Sequence, residues 1–180
     1  MKMLETERLI LREIKASDDE FILELLNQPS FIKYIGDRNV RGLEQAREFI
    51  ETRYRASYAE HGFGLYAVEL KISDSKFRNP QSQIPNPTIG ICGFVKRDTL
   101  PNADIGFAFL PQFERKGYAF ESANAVMKYG ASVLGLKRVL AITTQDNESS
   151  GRLLEKLRFE FDKLIDNDGE TLKLFSANFE

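Results

Sequence analysis

Residues 110–126, LPQFERKGYAFESANAV, have the composition of a turn that could hold an anion. An apolar run ends at Pro111, basic residues follow at Arg115 and Lys116, and a helical pattern begins near Gly117. The first amides of a helix have no partner inside it and lie at the positive end of its dipole, so phosphate oxygens bind there readily. The turn therefore predicts a site for a phosphorylated ligand, although a plain strand-to-helix connection would have the same pattern.

Two other phosphate-binding patterns fail in this sequence. There is no Walker A motif, which excludes a nucleotide triphosphatase of that type. Residues 62–67, GFGLYA, match G-x-G-x-x-A, but they lead into a predicted strand instead of following one and opening a helix. The turn at Gly117 is thus the candidate that keeps its expected context.

Composition limits the other kinds of site. The 180 residues carry a net charge of −2, which disfavours bulk nucleic-acid binding. Cys92 and His61 are the only cysteine and histidine, so we expect neither a disulfide framework nor a cysteine- or histidine-rich metal site. No apolar stretch is long enough to span a bilayer, and the first residues lack a signal-peptide core. We expect one domain over residues 1–180, in the cytosol and without a membrane partner.

Hydrophobic periodicity predicts the elements that must position the turn. Helical spacing of apolar residues predicts four helices, which begin near residues 17, 43, 117 and 148. Residues 17–20, SDDE, have the spacing of a capping box, Pro29 ends the first helix, and Gly135 stands at the end of the third.

Alternating or continuous apolar runs predict seven strands: residues 9–14, 66–72, 89–95, 103–110, 139–142, 159–165 and 171–176. Residues 73–87 are polar and proline-rich and predict a long exposed hairpin loop, and residues 166–169, DNDG, predict a tight turn. The strand, helix and strand around Gly117 imply a parallel pair with a right-handed crossover. The fold class is therefore α/β on one mixed sheet.

Residues 104–161, which contain the turn and the run NESSGRLLEKLRF, resemble the acetyl-CoA-binding half of the GNAT N-acetyltransferases, in the RimJ/RimL-like branch of ribosomal-protein amino-terminal acetyltransferases. The stretches TERLILREI and IGICGF extend the resemblance across almost the whole chain. It implies a GNAT fold: one mixed, splayed, mostly antiparallel sheet of about seven strands flanked by about four helices. It also implies transfer of an acetyl group from acetyl-CoA to an amine, without a metal.

In that family the sheet splays between its fourth and fifth strands, and the pantetheine arm lies in the opening. The resemblance implies that Phe109 and Leu110 meet pantetheine. It also implies that the pyrophosphate is wrapped by the amides of Arg115, Lys116, Gly117, Tyr118 and Ala119.

Three residues depart from the family pattern. Glu114 puts a carboxylate beside the expected anion site, and Arg115 stands where close relatives often have glycine. Arg158 replaces the glycine that usually precedes the phenylalanine after the next helix, so that cap must adopt a different or strained backbone.

Asn147 and Ser150 match the family's N-x-x-S element. By resemblance, the Asn147 side chain would bind the pantetheine or the reacting amide region, and Ser150 would lie near the thioester sulfur. The alternatives are a helix cap for Asn147 and a surface hydroxyl for Ser150. Leu154 stands where many relatives have a tyrosine acid, so Ser150 or water would serve the leaving thiolate. Attack would be direct, without an acyl-enzyme, and Cys92 would be a buried strand residue.

Acetyl transfer to an amine needs the neutral amine, whose pKa is about 10, and therefore a general base. Asp104, at the start of the fourth strand, is the leading candidate, ahead of Glu13 and His61. An exposed, solvated side chain is the alternative for each of them.

The acceptor site is expected between the first two helices, their connection and the loops around His61 and residues 73–87. Phe31 and Tyr34 would form an apolar wall there or belong to the core. The acceptor would be a protein amino terminus or a small amine. Two alternatives remain: a non-catalytic acyl-CoA-binding sensor, and an interaction domain without a CoA site. The chain would be a monomer or a homodimer, with pairing through its last two strands as one possibility.

Overall fold

A computed structural model of the protein describes residues 4–72, 86–167 and 169–179. Its eight strands form one sheet in the order β1-β2-β3-β4-β5-β6-β8-β7. The strands are β1 (Leu4–Glu5), β2 (Leu9–Glu13), β3 (Leu65–Leu70), β4 (Thr88–Val95), β5 (Asp104–Phe109), β6 (Arg138–Thr144), β7 (Glu160–Asn167) and β8 (Glu170–Asn178). All neighbours are antiparallel except β5 and β6, so the predicted mixed sheet and parallel pair are confirmed.

Six α-helical segments flank this sheet in the described part of the chain: α1 (Asp19–Leu26), α2 (Pro29–Tyr34), α3 (Leu43–Phe49), α4 (Ala56–His61), α5 (Tyr118–Ser132) and α6 (Glu148–Lys156). A π-helical segment, Ile50–Arg55, joins α3 to α4, so these two act as one long helix. Residues 111–113 form a short 3₁₀ turn between β5 and α5.

The sheet opens between β5 and β6. β4 pairs with β5 at six positions, whereas β5 pairs with β6 only at Asp104 and Leu140. The amide of Leu140 donates to the carbonyl of Ala103 at 2.9 Å beside that pair. Beyond this point the two strands diverge, and the described residues show no further pairing between them, so the sheet has a V-shaped gap that widens toward the carboxyl end of β5.

Side chains alternate across the sheet and build two cores. Tyr66, Val68 and Phe94 pack with residues of α5 and α6, while Ala67 and Ile91 pack with residues of α1, α3 and the π segment on the other face. This alternation is the expected period of two in a strand.

Gly130 fixes how closely α5 lies on the sheet. A Cβ atom at this position would lie 2.6 Å from the ring of Phe94, so any larger residue would push the helix away. The carboxyl end of β5 and the amino terminus of α5 are thereby held in a fixed relation.

Several sequence expectations differ from the structure. The sheet has eight strands instead of about seven, because the two residues of β1 are too short to give a periodic signal. Pro29 begins α2 instead of only ending α1, since proline is tolerated at the first helical position. The expected SDDE capping box does not form: Asp18 accepts hydrogen bonds from Arg12 and from the Lys15 amide at 2.7 Å each.

The predicted hairpin loop over residues 73–87 lies outside the described residues, except for its last two. No described helix combines the length and apolar character needed to cross a membrane.

Candidate active site

The turn between β5 and α5 is built on two residues with positive φ. Gly117 is the amino-terminal cap of α5 with φ 84°, and Arg115 has φ 58°. Gly117 has little room for a side chain, since a Cβ there would lie 3.3 Å from the guanidinium of Arg8. The predicted start of the helix near Gly117 is confirmed.

The amides of this turn have no hydrogen-bond partners among the described residues. No side chain caps the helix, and in the described part of the chain none of the amides of residues 115–120 donates a hydrogen bond. The next amide, that of Glu121, bonds to the carbonyl of Gly117 at 3.0 Å. A row of free amides at a helix start is the feature that binds phosphate groups.

A group of three residues distant in sequence braces this turn. Glu121, in the first turn of α5, accepts hydrogen bonds from the Thr6 hydroxyl at 2.5 Å and from the Arg8 amide and Nε at 2.9 and 2.7 Å. The same guanidinium donates to the Lys116 carbonyl at 3.0 Å and lies 4.6 Å from the ring of Tyr118. We call these residues, Thr6, Arg8 and Glu121, the brace.

The gap in the sheet opens into a cleft of about 2040 Å³. Most of the predicted site residues line it: Phe31, Tyr34, His61, Asp104, Phe109, Arg115, Gly117, Tyr118, Ala119, Asn147 and Ser150. The cleft thus joins the turn to the acceptor side of the fold.

Leu110 and Lys116 are not among the lining residues. The Leu110 side chain is buried in the core with α1 and α3, and its amide pairs with the carbonyl of Ile89 at 3.0 Å, because the strand alternation turns it away from the gap. The Lys116 ammonium lies 5.7 Å from the ring of Phe113, and the Lys116 carbonyl is used by Arg8. Glu13 also lies outside the cleft lining.

Thr143 places a buried, unpartnered hydroxyl in the cleft wall. This β6 residue is 7% exposed, and its Oγ1 has no hydrogen-bond partner among the described residues. Thr143 is on the part of β6 that has separated from β5, and it lines the cleft. Leaving a buried hydroxyl unpaired is costly, so this atom is available to a polar group of a ligand or to water.

Asn147 caps α6 and still keeps hydrogen-bonding capacity. Its Oδ1 accepts from the Ser150 amide at 3.1 Å, which is the cap that the sequence left open as an alternative. The cap uses only the oxygen, and Nδ2 has no partner in the described part of the chain. Ser150 lies half-buried in the cleft wall one turn into the helix. Leu154, at the position of the absent tyrosine, is buried in the core.

Asp104 is buried at the closed end of the gap. It is 1% exposed and accepts a hydrogen bond from Arg97 Nε at 3.0 Å. Burial raises the pKa of its carboxyl to about 6, although the positive charge and hydrogen bond of Arg97 oppose that change. The exposed, solvated alternative is therefore wrong for Asp104, and its carboxylate can take up a proton near neutral pH.

The acceptor side combines core and cleft residues. Phe31 is 6% exposed and belongs to the core with α1 and α3, yet it also lines the cleft. The Tyr34 hydroxyl accepts from Lys33 Nζ at 3.1 Å, and Lys33 reaches across to Asp146 at 2.9 Å, next to Asn147. His61, at the end of α4, lines the cleft as well.

The departures from the family pattern have different outcomes. Glu114 is exposed beside the turn, and Arg115 and Arg158 both adopt the left-handed backbone that glycine would favour. Arg158 closes α6 in that conformation, where the amide of Phe159 bonds to the carbonyl of Leu154 at 3.0 Å. The strained cap was one of the two expected alternatives for Arg158.

Sequence reasoning missed the brace and Thr143. The brace joins residues more than 100 positions apart, and only the quoted TERLILREI stretch, which contains Thr6 and Arg8, pointed toward it. A threonine in a strand such as Thr143 is ordinary by composition, so its missing partner becomes visible only in three dimensions.

The chain is similar to known proteins over most of its length. The profile of the acetyltransferase (GNAT) domain matches residues 8–160. The Bacillus subtilis protein YoaA, named as an uncharacterized N-acetyltransferase, is 35% identical over 159 residues, which cover 88% of this chain and 82% of YoaA.

Solved structures show the same fold. A GNAT-family acetyltransferase from Bacillus anthracis has a TM-score of 0.75 at 26% identity and covers 98% of both chains. RimL, a ribosomal L7/L12 α-N-protein acetyltransferase, has a TM-score of 0.75 at 14% identity and covers 99% of this chain and 94% of its own. At that identity RimL shares the fold, which agrees with the resemblance to the RimJ/RimL-like branch.

Proposed function

The chain belongs to the GNAT acetyltransferase family, and from that premise we propose that it transfers acetyl from acetyl-CoA directly to a primary amine, as one catalytic domain over residues 1–180. The observation that carries the proposal is the pairing of a splayed sheet with a turn of free amides: β5 and β6 pair once, and the amides of residues 115–120 lack partners in the described chain. Both features suit an extended ligand that ends in a diphosphate.

The residues around the gap fit acetyl-CoA. The free amides from Arg115 to Ala119 would hold the pyrophosphate, and the exposed β5 edge near Phe109 with the Thr143 hydroxyl would hold the pantetheine arm. When bound, acetyl-CoA supplies an acetyl group activated as a thioester. Lys116 contributes its backbone to the turn, and its side chain adds positive charge nearby.

Asp104 is the proposed general base. Its carboxyl has a pKa of about 6 because of burial, so at pH 7 most molecules carry the ionised form that accepts a proton from the acceptor ammonium, directly or through water. Arg97 holds the carboxylate by its Nε hydrogen bond. His61 and Glu13 are weaker candidates, and Glu13 lies outside the cleft lining.

Asn147 and Ser150 are proposed to act at the opposite wall. Asn147 keeps a free Nδ2 that can donate a hydrogen bond to a ligand carbonyl while its Oδ1 caps α6. The Ser150 hydroxyl can donate to a departing thiolate, and water can replace it because a thiol of pKa about 8.5 is a tolerable leaving group.

Cys92 supports direct transfer over an acyl-enzyme. It is fully buried on β4, and burial raises the pKa of its thiol to about 12. A buried neutral thiol is a poor nucleophile. The described residues therefore offer no activated cysteine in the cleft.

The acceptor is proposed to enter past Phe31, Tyr34 and His61, and to be a protein amino terminus or a small amine. The family assignment favours an enzyme over the sensor and interaction-domain alternatives, because its relatives are N-acetyltransferases. The cytosolic location and the oligomeric state stay predictions from the sequence.

An acceptor screen tests the proposal. The protein is incubated with acetyl-CoA and a panel of amines that includes ribosomal-protein amino-terminal peptides, and CoA release is followed with a thiol-reactive dye. We expect release above the hydrolysis background with at least one amine, and no acetylated protein by mass spectrometry in the absence of acceptor. Saturable binding of acetyl-CoA without release would support the sensor instead.

Gly117→Ala is the variant for the cofactor site, with Gly135→Ala as its control. Both glycines have positive φ, so both substitutions strain the backbone, but Gly135 has no neighbour within 4 Å of a new Cβ and lies outside the cleft lining. We expect both variants to lose stability through backbone strain, and a loss of CoA affinity only for Gly117→Ala. Equal CoA affinities in the two variants would remove the turn from the site.

A further inference from the structure

Three arginines from separate elements converge on the end of the cleft that is remote from the turn. Arg38 lies between α2 and α3, Arg53 lies in the π segment, and Arg97 follows β4, and all three line the cleft with Asp104. Desolvation lowers the pKa of Arg38, and the positive charges of Arg97 and Arg53 lower it further, so each of these two cations acts on Arg38.

Two of these cations have no acidic partner in the described part of the chain. Arg97 is paired with Asp104, whereas among the described residues the only hydrogen bond of Arg38 is to the carbonyl of Ile35 at 3.4 Å and Arg53 forms no ion pair. Glu48 and Glu60 line the same cleft without pairing with either arginine.

Neighbouring arginines on the same elements are paired. Arg41 binds Asp37 at 2.5 Å, and Arg55 binds Glu51 at 2.9 Å. Arg38 and Arg53 therefore keep guanidinium groups without an acidic partner in the described chain, unlike these neighbours on the same elements.

Arg38 and Arg53 are exposed at the cleft, so their guanidinium groups are accessible, and an anion that binds between neighbouring like charges relieves their repulsion. Guanidinium groups bind carboxylates and phosphates with paired hydrogen bonds, so either group would be recognised there. Asp104 lies beside the same cluster through Arg97. A molecule with an amine at Asp104 would therefore place its neighbouring groups against Arg38 and Arg53.

We propose that the acceptor is an anionic amine, whose carboxylate or phosphate is held by Arg38 and Arg53 while its amine lies at Asp104. The proposal rests on the acetyltransferase function above and narrows its acceptor. Two sources share this chemistry: small acidic or phosphorylated amines, and peptides whose first residue is acidic.

Matched acceptor pairs test the proposal. The pairs are β-alanine with its amide, phosphoethanolamine with ethanolamine, and amidated peptides that begin with Asp or with Asn. We expect kcat/KM to be about 10- to 100-fold higher for the anionic member of at least one pair, as charge-assisted hydrogen bonds would give. The pair with the larger ratio identifies the small-molecule or peptide source.

The variant Arg38→Gln/Arg53→Gln should bring this ratio close to one, and Arg55→Gln, on the same helical segment, should leave it unchanged. Rising ionic strength should lower the ratio as well, since the attraction is between charges. Equal kcat/KM within every pair would overturn the anionic acceptor while leaving the acetyltransferase function intact.

Binding separates the two proposals if no amine reacts. Calorimetry with each anionic amine, without acetyl-CoA, should give binding that is lost in the double variant. Arginine-dependent binding without turnover would reject the proposed reaction and keep the anion site, whereas no binding of any anionic amine would reject the site itself.

Discussion

Asp104 accepts the Nε hydrogen bond of Arg97 at 3.0 Å, at the one position where β5 still pairs with β6 in the described sheet. The carboxyl is thus fixed at the vertex of the V-shaped gap, where burial raises its pKa to about 6. A base with a pKa near the working pH combines ionisation with readiness to take a proton. The residue at the vertex of the gap is therefore also the proposed general base.

Asp104→Asn should remove the general base without a large change in shape. In the native protein, we expect kcat/KM to rise as pH increases through about 6, because the carboxyl loses its proton there. The variant should lose that step, and its kcat should fall by roughly 10²- to 10⁴-fold. Asp98→Asn, on the exposed loop before β5, is the control and should keep the native profile. An unchanged pH profile in Asp104→Asn would assign proton removal to another group.

The Asp104 carboxyl should make the fold less stable as pH rises, the opposite of an acid whose folded pKa is lowered. Its folded pKa, about 6, lies above the ordinary value of 3.8, so the folded state binds the extra proton and loses stability as pH rises between these values. The effect amounts to about 3 kcal/mol. Urea unfolding at pH 4 and pH 7 measures this effect. Between these pH values the free energy of unfolding should fall by about this amount in the native protein but not in Asp104→Asn, so the variant gains in relative stability at the higher pH.

Thr143→Val should separate ligand binding from stability. The unpartnered buried hydroxyl contributes nothing to the described fold, so its replacement by an isosteric methyl should leave the melting temperature unchanged or slightly raised. CoA affinity should fall about 3- to 10-fold, which corresponds to one hydrogen bond. The neighbouring Thr144 is the contrast, because its hydroxyl already donates to Asp146 at 2.8 Å and Thr144→Val should lose stability. Unchanged CoA affinity in Thr143→Val would contradict the role of this hydroxyl.

Periodicity in the sequence was sufficient for the seven longer strands and the helix after the turn, whereas the opening of the sheet was implied by the resemblance to the GNAT family. Periodicity was insufficient where one residue type serves two purposes. Pro29 is a helix stop and also a good first helical residue, and Asp18 fits a capping box but pairs with Arg12 instead. The candidate site shows the same limit. Gly117 can be recognised from the sequence as a turn residue, whereas the missing hydrogen-bond partner of the Thr143 hydroxyl follows from the position at which β5 and β6 separate.

The brace should couple the amino-terminal strand to the turn. Glu121 is partly desolvated, which opposes ionisation, but hydrogen bonds from Thr6 and Arg8 outweigh this and lower its pKa. Its stabilisation is therefore present above the ordinary pKa of 4.5 and is lost as pH falls through the folded value. Glu121→Gln should lose about 1–3 kcal/mol at pH 7 and bind CoA more weakly.

Glu7→Gln is the matched control for the brace, since Glu7 is exposed on the neighbouring turn. Thermal unfolding from pH 7 down to pH 3 should show the native protein and Glu121→Gln converging at the acidic end. If the melting temperatures of the native protein and Glu121→Gln still differ at pH 3, the shape of the Glu121 side chain, and not its charge, accounts for the loss of stability.

Arg158→Gly should make the protein more stable. Arg158 has φ 64°, a conformation that costs an L-residue about 1–2 kcal/mol and costs glycine much less. Glycine also has more freedom in the unfolded chain, which offsets part of the gain, so the net effect should be about 1 kcal/mol or a rise of roughly 2–4 °C in Tm. Lys156→Gly, in the right-handed last turn of α6, should instead lose about 1 kcal/mol. Because Arg158 does not line the cleft, CoA affinity should stay the same in Arg158→Gly. A lower Tm for this variant would show that the Arg158 side chain contributes contacts worth more than the backbone strain.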